Sequence, residues 1–164
     1  MKRLFLMRHA KSSWDQPYAD DHSRSLNKRG RRDAPIMASK IKESGLIPDL
    51  ILSSDSRRTI ETSKPLLNVL GPIDISYTPE LYLASMQEIV HLVQKQDNNL
   101  DSLMILAHNP GITYAFNALS NSKIDNMPTS AVACIKYDDE DFAEISIDTP
   151  STLEFLYYPK MFNQ

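Results

Sequence analysis

The feature that most constrains this chain is the alternation of short apolar runs with longer segments of helical periodicity. Four apolar runs have the length of buried strands, and they span residues 4–7, 50–52, 73–77 and 103–107. Helical patterns follow them in order, and they span residues 27–44, 56–70, 86–93 and, after Pro110-Gly111, about 111–119. Such alternation is typical of a mainly parallel central sheet with helices on both faces.

The last third of the chain departs from this alternation. Apolar residues at 131–137 and 142–147 flank the acidic run 138–141, a pattern that predicts a β-hairpin. We therefore expect the α/β sheet to carry an antiparallel edge near the C-terminus. The sequence has no internal repeat and no Gly/Ser-rich linker, so we expect residues 1–164 to form a single domain.

Composition excludes several classes of function. The net charge of −3 provides no overall field that would attract nucleic acid or anionic lipid. The first apolar run ends at Arg8, too early for a signal peptide, and no segment reaches the roughly 18 to 20 apolar residues of a membrane span. The charge and the short apolar runs lead us to expect neither nucleic acid nor membrane as a partner. Cys134 is the only cysteine, so we expect a buried thiol and a reducing, cytoplasmic location.

Chemically active residues follow three of the four predicted strands. The first strand runs directly into Arg8-His9, and the second runs into Ser53-Ser54 and then Arg57-Arg58. The fourth strand runs into the segment 108–111, which begins with His108. Because ligands bind beyond the carboxyl ends of the strands in open α/β sheets, we expect two histidines and two arginines to converge there.

This set of residues suits phosphoryl transfer. Arginine binds phosphate through a planar fork of donors, and an imidazole can attack phosphorus as a nucleophile. Nearby arginines would also lower the pKa of His9 and keep its ring neutral. The chain lacks Gly-x-Ser-x-Gly, Walker A, Gly-x-Gly-x-x-Gly and His-Glu-x-x-His motifs, and arginines beside the histidines would repel a cation. We therefore expect neither a metal site nor a cofactor.

Three motifs resemble those of the histidine phosphatase superfamily, which has the phosphoglycerate mutase-like fold. Arg8-His9-Ala10 resembles the Arg-His-Gly signature, with alanine in place of glycine. Segment 54–62 resembles the second motif, in which a serine and a threonine each lie four residues from the phosphate-binding arginine, and this register selects Arg58. Segment 107–109 resembles the motif of the second catalytic histidine, and residues 7–14, 24–30 and 107–111 are similar to the short SixA-type phosphohistidine phosphatase branch.

The resemblance implies a role for each matching residue. His9 would attack phosphorus and become transiently phosphorylated, with the phosphoryl oxygens surrounded by Arg8, Arg24, Arg58 and His108. A carboxylate after the third strand would protonate the leaving group, and Glu80 matches it, with Asp15 and Asp20 as weaker alternatives. The implied substrate is a phosphohistidine on a protein such as a phosphotransfer domain.

Several alternatives remain open from the sequence alone. The same chemistry could serve a small-molecule phosphomonoesterase, and the same residues could form a non-catalytic phosphate-binding module. Trp14 and Tyr82 could line the rim of the pocket or pack within the fold. The basic run 28–32 could bind an acidic partner protein or be a solvated helix start, while His22 and His91 are interpreted as structural or solvated.

Overall fold

The computed structural model describes residues 1–15, 20–138 and 141–162, and in these ranges six strands form one sheet. The strands are β1 Lys2–Arg8, β2 Leu50–Ser54, β3 Asp74–Thr78, β4 Ser102–Ala107, β5 Val132–Tyr137 and β6 Thr152–Tyr157. Their order across the sheet is β3-β2-β4-β1-β5-β6. The first four strands are parallel, and β5 and β6 add an antiparallel edge. The predicted fold class is confirmed.

Helices cover both faces of this sheet, as the periodicity predicts. They are α1 Lys28–Ser44, α2 Arg57–Leu70, α3 Met86–Gln94 and α4 Gly111–Ser120. The side chains of Asn27, Ser56 and Ser85 cap the first three by accepting hydrogen bonds from backbone N–H groups, which fixes where each helix begins. In the described part of the chain, no helix has both the length and the apolar character that crossing a membrane requires.

Successive side chains of β1 pack on opposite faces of the sheet, which explains why every residue from 4 to 7 is apolar. Leu4 and Leu6 belong to the core cluster that packs with α3 and α4, whereas Phe5 and Met7 belong to the cluster that packs with α1 and α2. All four side chains are fully buried. Because successive side chains of a strand point to opposite faces, a central strand covered on both sides must be apolar at every position.

The predicted hairpin partner at residues 142–147 is wrong. Strand β5 pairs instead with β6, which lies farther along the chain. Phe142–Glu144 form a short 3-10 helix, and Phe142 and Ile145 are buried together against the α3 and α4 cluster. A spacing of three residues brings these two side chains to one side of a helical turn, which alternating strand geometry would not do. The predicted acidic turn includes residues 139–140, which lie outside the described ranges.

Two glycines allow close backbone contacts next to the sheet edge. A Cβ atom on Gly30 would lie 2.1 Å from the carbonyl oxygen of Lys11, and one on Gly111 would lie 1.8 Å from that of Ala84. Any other residue would therefore force the backbone apart at either place. The two contacts bring the beginnings of α1 and α4 against the loops that follow β1 and precede α3.

Candidate active site

A cavity of about 230 Å³ lies beyond the carboxyl ends of β1, β2 and β4. Arg8 is the last residue of β1, His9 follows it, His108 follows β4, and Arg58 lies in the first turn of α2. The structure therefore brings together the residues that the strand-end argument selects. The lining consists of Arg8, His9, Lys11, Ser12, Trp14, Asp21, Arg24, Arg58, Leu83, His108, Asn109 and Thr129.

His9 is buried, with one ring nitrogen held by its own loop. Its Nδ1 lies 2.7 Å from the carbonyl oxygen of Ala10. Because a carbonyl can only accept, Nδ1 carries the proton and Nε2 keeps a lone pair. Burial lowers the pKa of His9 to about 3, and the positive charges of Arg58, Arg8 and Arg24 add to this against the raising effect of the Ala10 hydrogen bond. The ring is thus neutral near pH 7.

His108 faces the same cavity from β4, with its ring centroid 5.2 Å from that of His9. Its Nε2 lies 2.8 Å from Oγ of Ser54, whose hydroxyl can donate to it. Its Nδ1 is buried and has no hydrogen-bond partner among the described residues. Burial lowers the pKa of His108 to about 3, and electrostatic coupling to the neighbouring His9 ring and the positive charge of Arg58 act in the same direction. A neutral ring that accepts at Nε2 offers an unused N–H donor at Nδ1.

Arg58 is the most deeply buried cation of the cavity, with 2% of its surface exposed. Its Nη1 donates to the carbonyl oxygen of Asp21 at 2.7 Å, and its Nη2 donates to Oδ2 of the same residue at 3.0 Å. Its Nε is buried and without a partner in the described ranges, as is Nε of Arg8. Arg8 donates through Nη1 to the carbonyl oxygen of Met127 at 2.8 Å. Both guanidinium groups therefore retain a donor for a bound anion.

Asp21 is the carboxylate of the site, and sequence reasoning missed it. It accepts from Arg58, from Nε of Arg24 at 3.1 Å, and from the hydroxyl of Tyr82. Burial raises the pKa of Asp21, but the hydrogen bonds from Tyr82 and Arg58 outweigh it and bring the pKa to about 2. The only local signal for this role is the spacing of three residues between Asp21 and Arg24.

The second motif has a direct mechanical explanation. Ser54, four residues before Arg58, contacts the ring of His108. Thr62, four residues after Arg58, accepts from the Ala10 N–H at 3.0 Å through Oγ1 and donates to the Arg58 carbonyl at 2.7 Å. Ser54, before Arg58, thus orients His108, and Thr62, after Arg58, holds the backbone next to His9. The φ angle of Ala10 is not positive, so the backbone at this position does not require glycine.

The loop side of the cavity is more open. Trp14 is 74% exposed and lines the rim, and the guanidinium carbon of Arg24 lies 3.6 Å from its ring centroid. Arg24 also donates to Oγ of Ser12 at 2.8 Å. Tyr82 contacts the site through its hydroxyl, which donates to Asp21, and through its ring, which lies edge-on to the His108 ring at 5.5 Å and 5.9 Å from the guanidinium carbon of Arg58. Arg24, which the family resemblance assigns to the phosphate pocket, therefore lines the cavity.

Other candidate residues lie outside the lining. Glu80 is exposed within the 3-10 helix Pro79–Leu81, and Asp15 and Asp20 are exposed as well. His22 pairs with Asp55 at 2.8 Å, and His91 is exposed on α3. Of the carboxylates in the described ranges, only Asp21 lines the cavity, and no three metal-ligating side chains group together in those ranges.

Comparisons with known proteins agree with this geometry. A family model for the histidine phosphatase superfamily (branch 1) matches residues 4–89. An uncharacterised chloroplastic protein of Arabidopsis thaliana is 34% identical over 133 residues, a match that covers 75% of this chain and 61% of that protein. The chain thus spans less than two thirds of that plant relative.

Solved structures extend the likeness over nearly the whole chain. A provisionally named phosphohistidine phosphatase SixA from Agrobacterium tumefaciens superposes with a TM-score of 0.85 at 28% identity, covering 96% of this chain and 98% of that one. A protein histidine phosphatase SixA in complex with tungstate superposes with a TM-score of 0.81 at 22% identity, covering 98% and 99%. The likeness to the tungstate complex, at 22% identity, shows a shared fold.

Proposed function

This chain belongs to the histidine phosphatase superfamily (branch 1), and we propose that it is a SixA-like phosphohistidine phosphatase that uses no metal ion and no cofactor. One observation carries the proposal. Nε2 of a neutral, buried His9 shares a small cavity with Arg8, Arg58 and His108, each of which keeps an unused buried donor. A nucleophile and donors for anionic oxygen atoms are the two requirements of covalent phosphoryl transfer.

The donors explain how a phosphoryl group would bind. Nε of Arg8, Nε of Arg58 and Nδ1 of His108 make no hydrogen bond to other protein groups in the described ranges, and all three residues line the cavity. Phosphoryl oxygens would satisfy all three, and Arg24 would close the set from the loop side. Charge-assisted hydrogen bonds of this kind strengthen as negative charge develops in the transition state.

In the first step, Nε2 of His9 attacks phosphorus and the P–N bond to the substrate imidazole breaks. The second nitrogen of that imidazole takes a proton from solvent beforehand, so the ring leaves as a neutral molecule. A carboxylic acid is not needed for this step. Asp21, with a pKa near 2, stays ionised and orients Arg58 and Arg24, and the exposed Glu80 takes no part.

In the second step, water attacks phosphorus and the bond between phosphorus and Nε2 of His9 breaks. Nδ1 keeps its proton throughout, because its N–H donates a hydrogen bond to the Ala10 carbonyl oxygen 2.7 Å away. The phosphorylated ring is therefore cationic, and it leaves as neutral imidazole while inorganic phosphate departs. The same hydrogen bond thus frees Nε2 for attack and makes His9 a good leaving group in hydrolysis.

The cavity favours a phosphoryl group presented on a protein. Trp14 and Leu83 stand exposed at its rim, 74% and 54% respectively, where a protein surface could cover them. The relative from Agrobacterium tumefaciens bears the name of a phosphohistidine phosphatase, which supports the same substrate class.

The test is dephosphorylation of a histidine phosphotransfer domain phosphorylated on histidine, with His9→Ala as the control. We expect release of inorganic phosphate at a rate unaffected by a metal chelator, and none above background with His9→Ala. A panel of sugar phosphates and nucleotides, run in parallel, gives the competing result. Higher kcat/KM on any of these esters than on the domain would favour a small-molecule phosphomonoesterase.

A further inference from the structure

A second, strongly basic cavity adjoins the catalytic one. Its volume is about 450 Å³, and it shares Arg8, Lys11 and Thr129 with the catalytic cavity. We name it the basic side cavity. Its lining consists of Arg8, Lys11, Arg29, Asn126, Pro128, Thr129, Tyr158, Pro159 and Lys160.

The lining is cationic although the whole chain is acidic. Four of its residues are arginine or lysine and none is aspartate or glutamate, whereas the chain as a whole has a net charge of −3. Arg29 pairs with Asp33, which is 1% exposed and lies 3.6 Å from Nε of Arg29 and 3.1 Å from Nε of Arg32. One carboxylate shared between two arginines leaves the cavity with a positive potential.

Two backbone contacts and the last 3-10 helix bring the cations of the basic side cavity close to the catalytic cavity. The backbone N–H of Asn27 donates to the Lys11 carbonyl at 3.0 Å, and Gly30 lets the first turn of α1 press against Lys11. Arg29 therefore lies beside the loop that follows His9, and Lys160 reaches the cavity from the 3-10 helix Pro159–Met161. The basic run 28–32 thus contributes one residue to a cavity that is continuous with the catalytic site.

We propose that the basic side cavity binds carboxylates of an acidic segment on the phosphorylated protein, next to its phosphohistidine. This rests on the proposed function and names the feature by which its substrates are selected. The four cations come from three separate parts of the chain, an arrangement that suits several spaced carboxylates better than one small anion. Because Arg8 lines both cavities, a carboxylate in the second would lie close to the phosphoryl group in the first.

The test compares two phosphohistidine peptides, one flanked by Asp and Glu and the other by Asn and Gln, with phosphoramidate as a small P–N substrate. The variant is Arg29→Gln with Lys160→Gln, neither of which lines the catalytic cavity. The control is Lys28→Gln with Lys64→Gln, which removes two exposed positive charges outside both linings.

We expect the unmodified protein to prefer the acidic peptide by about tenfold in kcat/KM at low salt, mainly through KM. The side-cavity variant should lose that preference and hydrolyse phosphoramidate within about twofold of the unmodified rate, while the control keeps the preference. An equal loss in the control, or a preference that survives in the variant, overturns the inference. Phosphoramidate turnover without peptide preference overturns the inference alone, whereas absence of all turnover overturns the proposed function and the inference with it.

Discussion

The catalytic cavity has two sides that differ in how their residues are held. The inner wall consists of His9, Arg58 and His108, which are 6%, 2% and 1% exposed and follow directly from strands of the sheet or from the first turn of α2. The loop wall consists of Trp14, Asp21 and Arg24, which lie between β1 and α1 and are partly or largely exposed. The sheet fixes the inner wall, whereas side-chain contacts and a backbone hydrogen bond from Ser13 to Ser25 hold the loop wall.

Asp21 joins the two walls. Its carboxylate accepts from Arg24 on the loop wall and from Arg58 on the inner wall, and its carbonyl oxygen accepts from Arg58 as well. A loop residue thus sets the orientation of a buried cation. The comparison teaches that the chemistry should depend most on the inner wall, and that the loop wall should act mainly by positioning.

The largest effect is expected from removing the nucleophile of the inner wall. His9→Ala should lower kcat on a phosphohistidine domain by at least about 10⁴-fold, because no other group can form the covalent intermediate. The matched control is His91→Ala on the exposed face of α3, which should leave turnover unchanged. Comparable losses in both variants would point to misfolding and break the distinction between the walls.

The next effect concerns the buried cation. Arg58→Gln should lower kcat/KM by about 10²- to 10³-fold, because a preorganised charged donor to the transferring phosphoryl group is lost. Arg57→Gln is the control, since Arg57 is exposed and pairs with Glu61 at 3.4 Å on the surface of α2. Equal sensitivity of the two neighbours, measured by steady-state kinetics, would contradict the assignment of Arg58 to the inner wall.

A smaller effect is expected at the joint between the walls. Asp21→Asn should lower kcat/KM by about 10- to 100-fold, as is typical when an orienting hydrogen-bond partner is removed. The shape of the pH profile should stay the same, because Asp21 positions arginines and transfers no proton. Glu80→Gln should have no effect, and a specific loss of the alkaline limb of the profile in either variant would identify that residue as a general acid.

The smallest effect concerns stability and pH. His9 and His108 have pKa values near 3 in the fold and near 6.5 when unfolded, so the unfolded state binds more protons between these values. The free energy of unfolding should therefore fall as pH is lowered from about 6.5 towards 3. Urea denaturation at several pH values measures this slope, which should be shallower in His108→Gln. An unchanged slope would mean that His108 is not buried as a neutral ring.

The sequence predicts the three residues of the inner wall, and on the loop wall it points to Arg24 and Trp14 but misses Asp21, for a physical reason. Arg8 ends one apolar run and His108 follows another, so both residues must lie at the carboxyl ends of strands. Strand geometry leaves little freedom in where the next residue lies. Asp21 contacts Arg58, which lies 37 positions away, and such a contact has no local pattern. The hairpin prediction is wrong for a different reason: the apolar residues at 142–147 resemble a strand in composition, whereas the spacing of three between Phe142 and Ile145 suits a helical turn.

The most direct test of this account is rapid-quench trapping of the phosphoenzyme during turnover of a phosphorylated histidine domain. The account predicts a labelled protein that is stable to alkali and labile to acid, as a phosphorylated imidazole should be, with the phosphoryl group on Nε2 of His9. The label should be absent in His9→Ala and present in Asp21→Asn. Turnover without any labelled intermediate, or label that persists in His9→Ala, would contradict it.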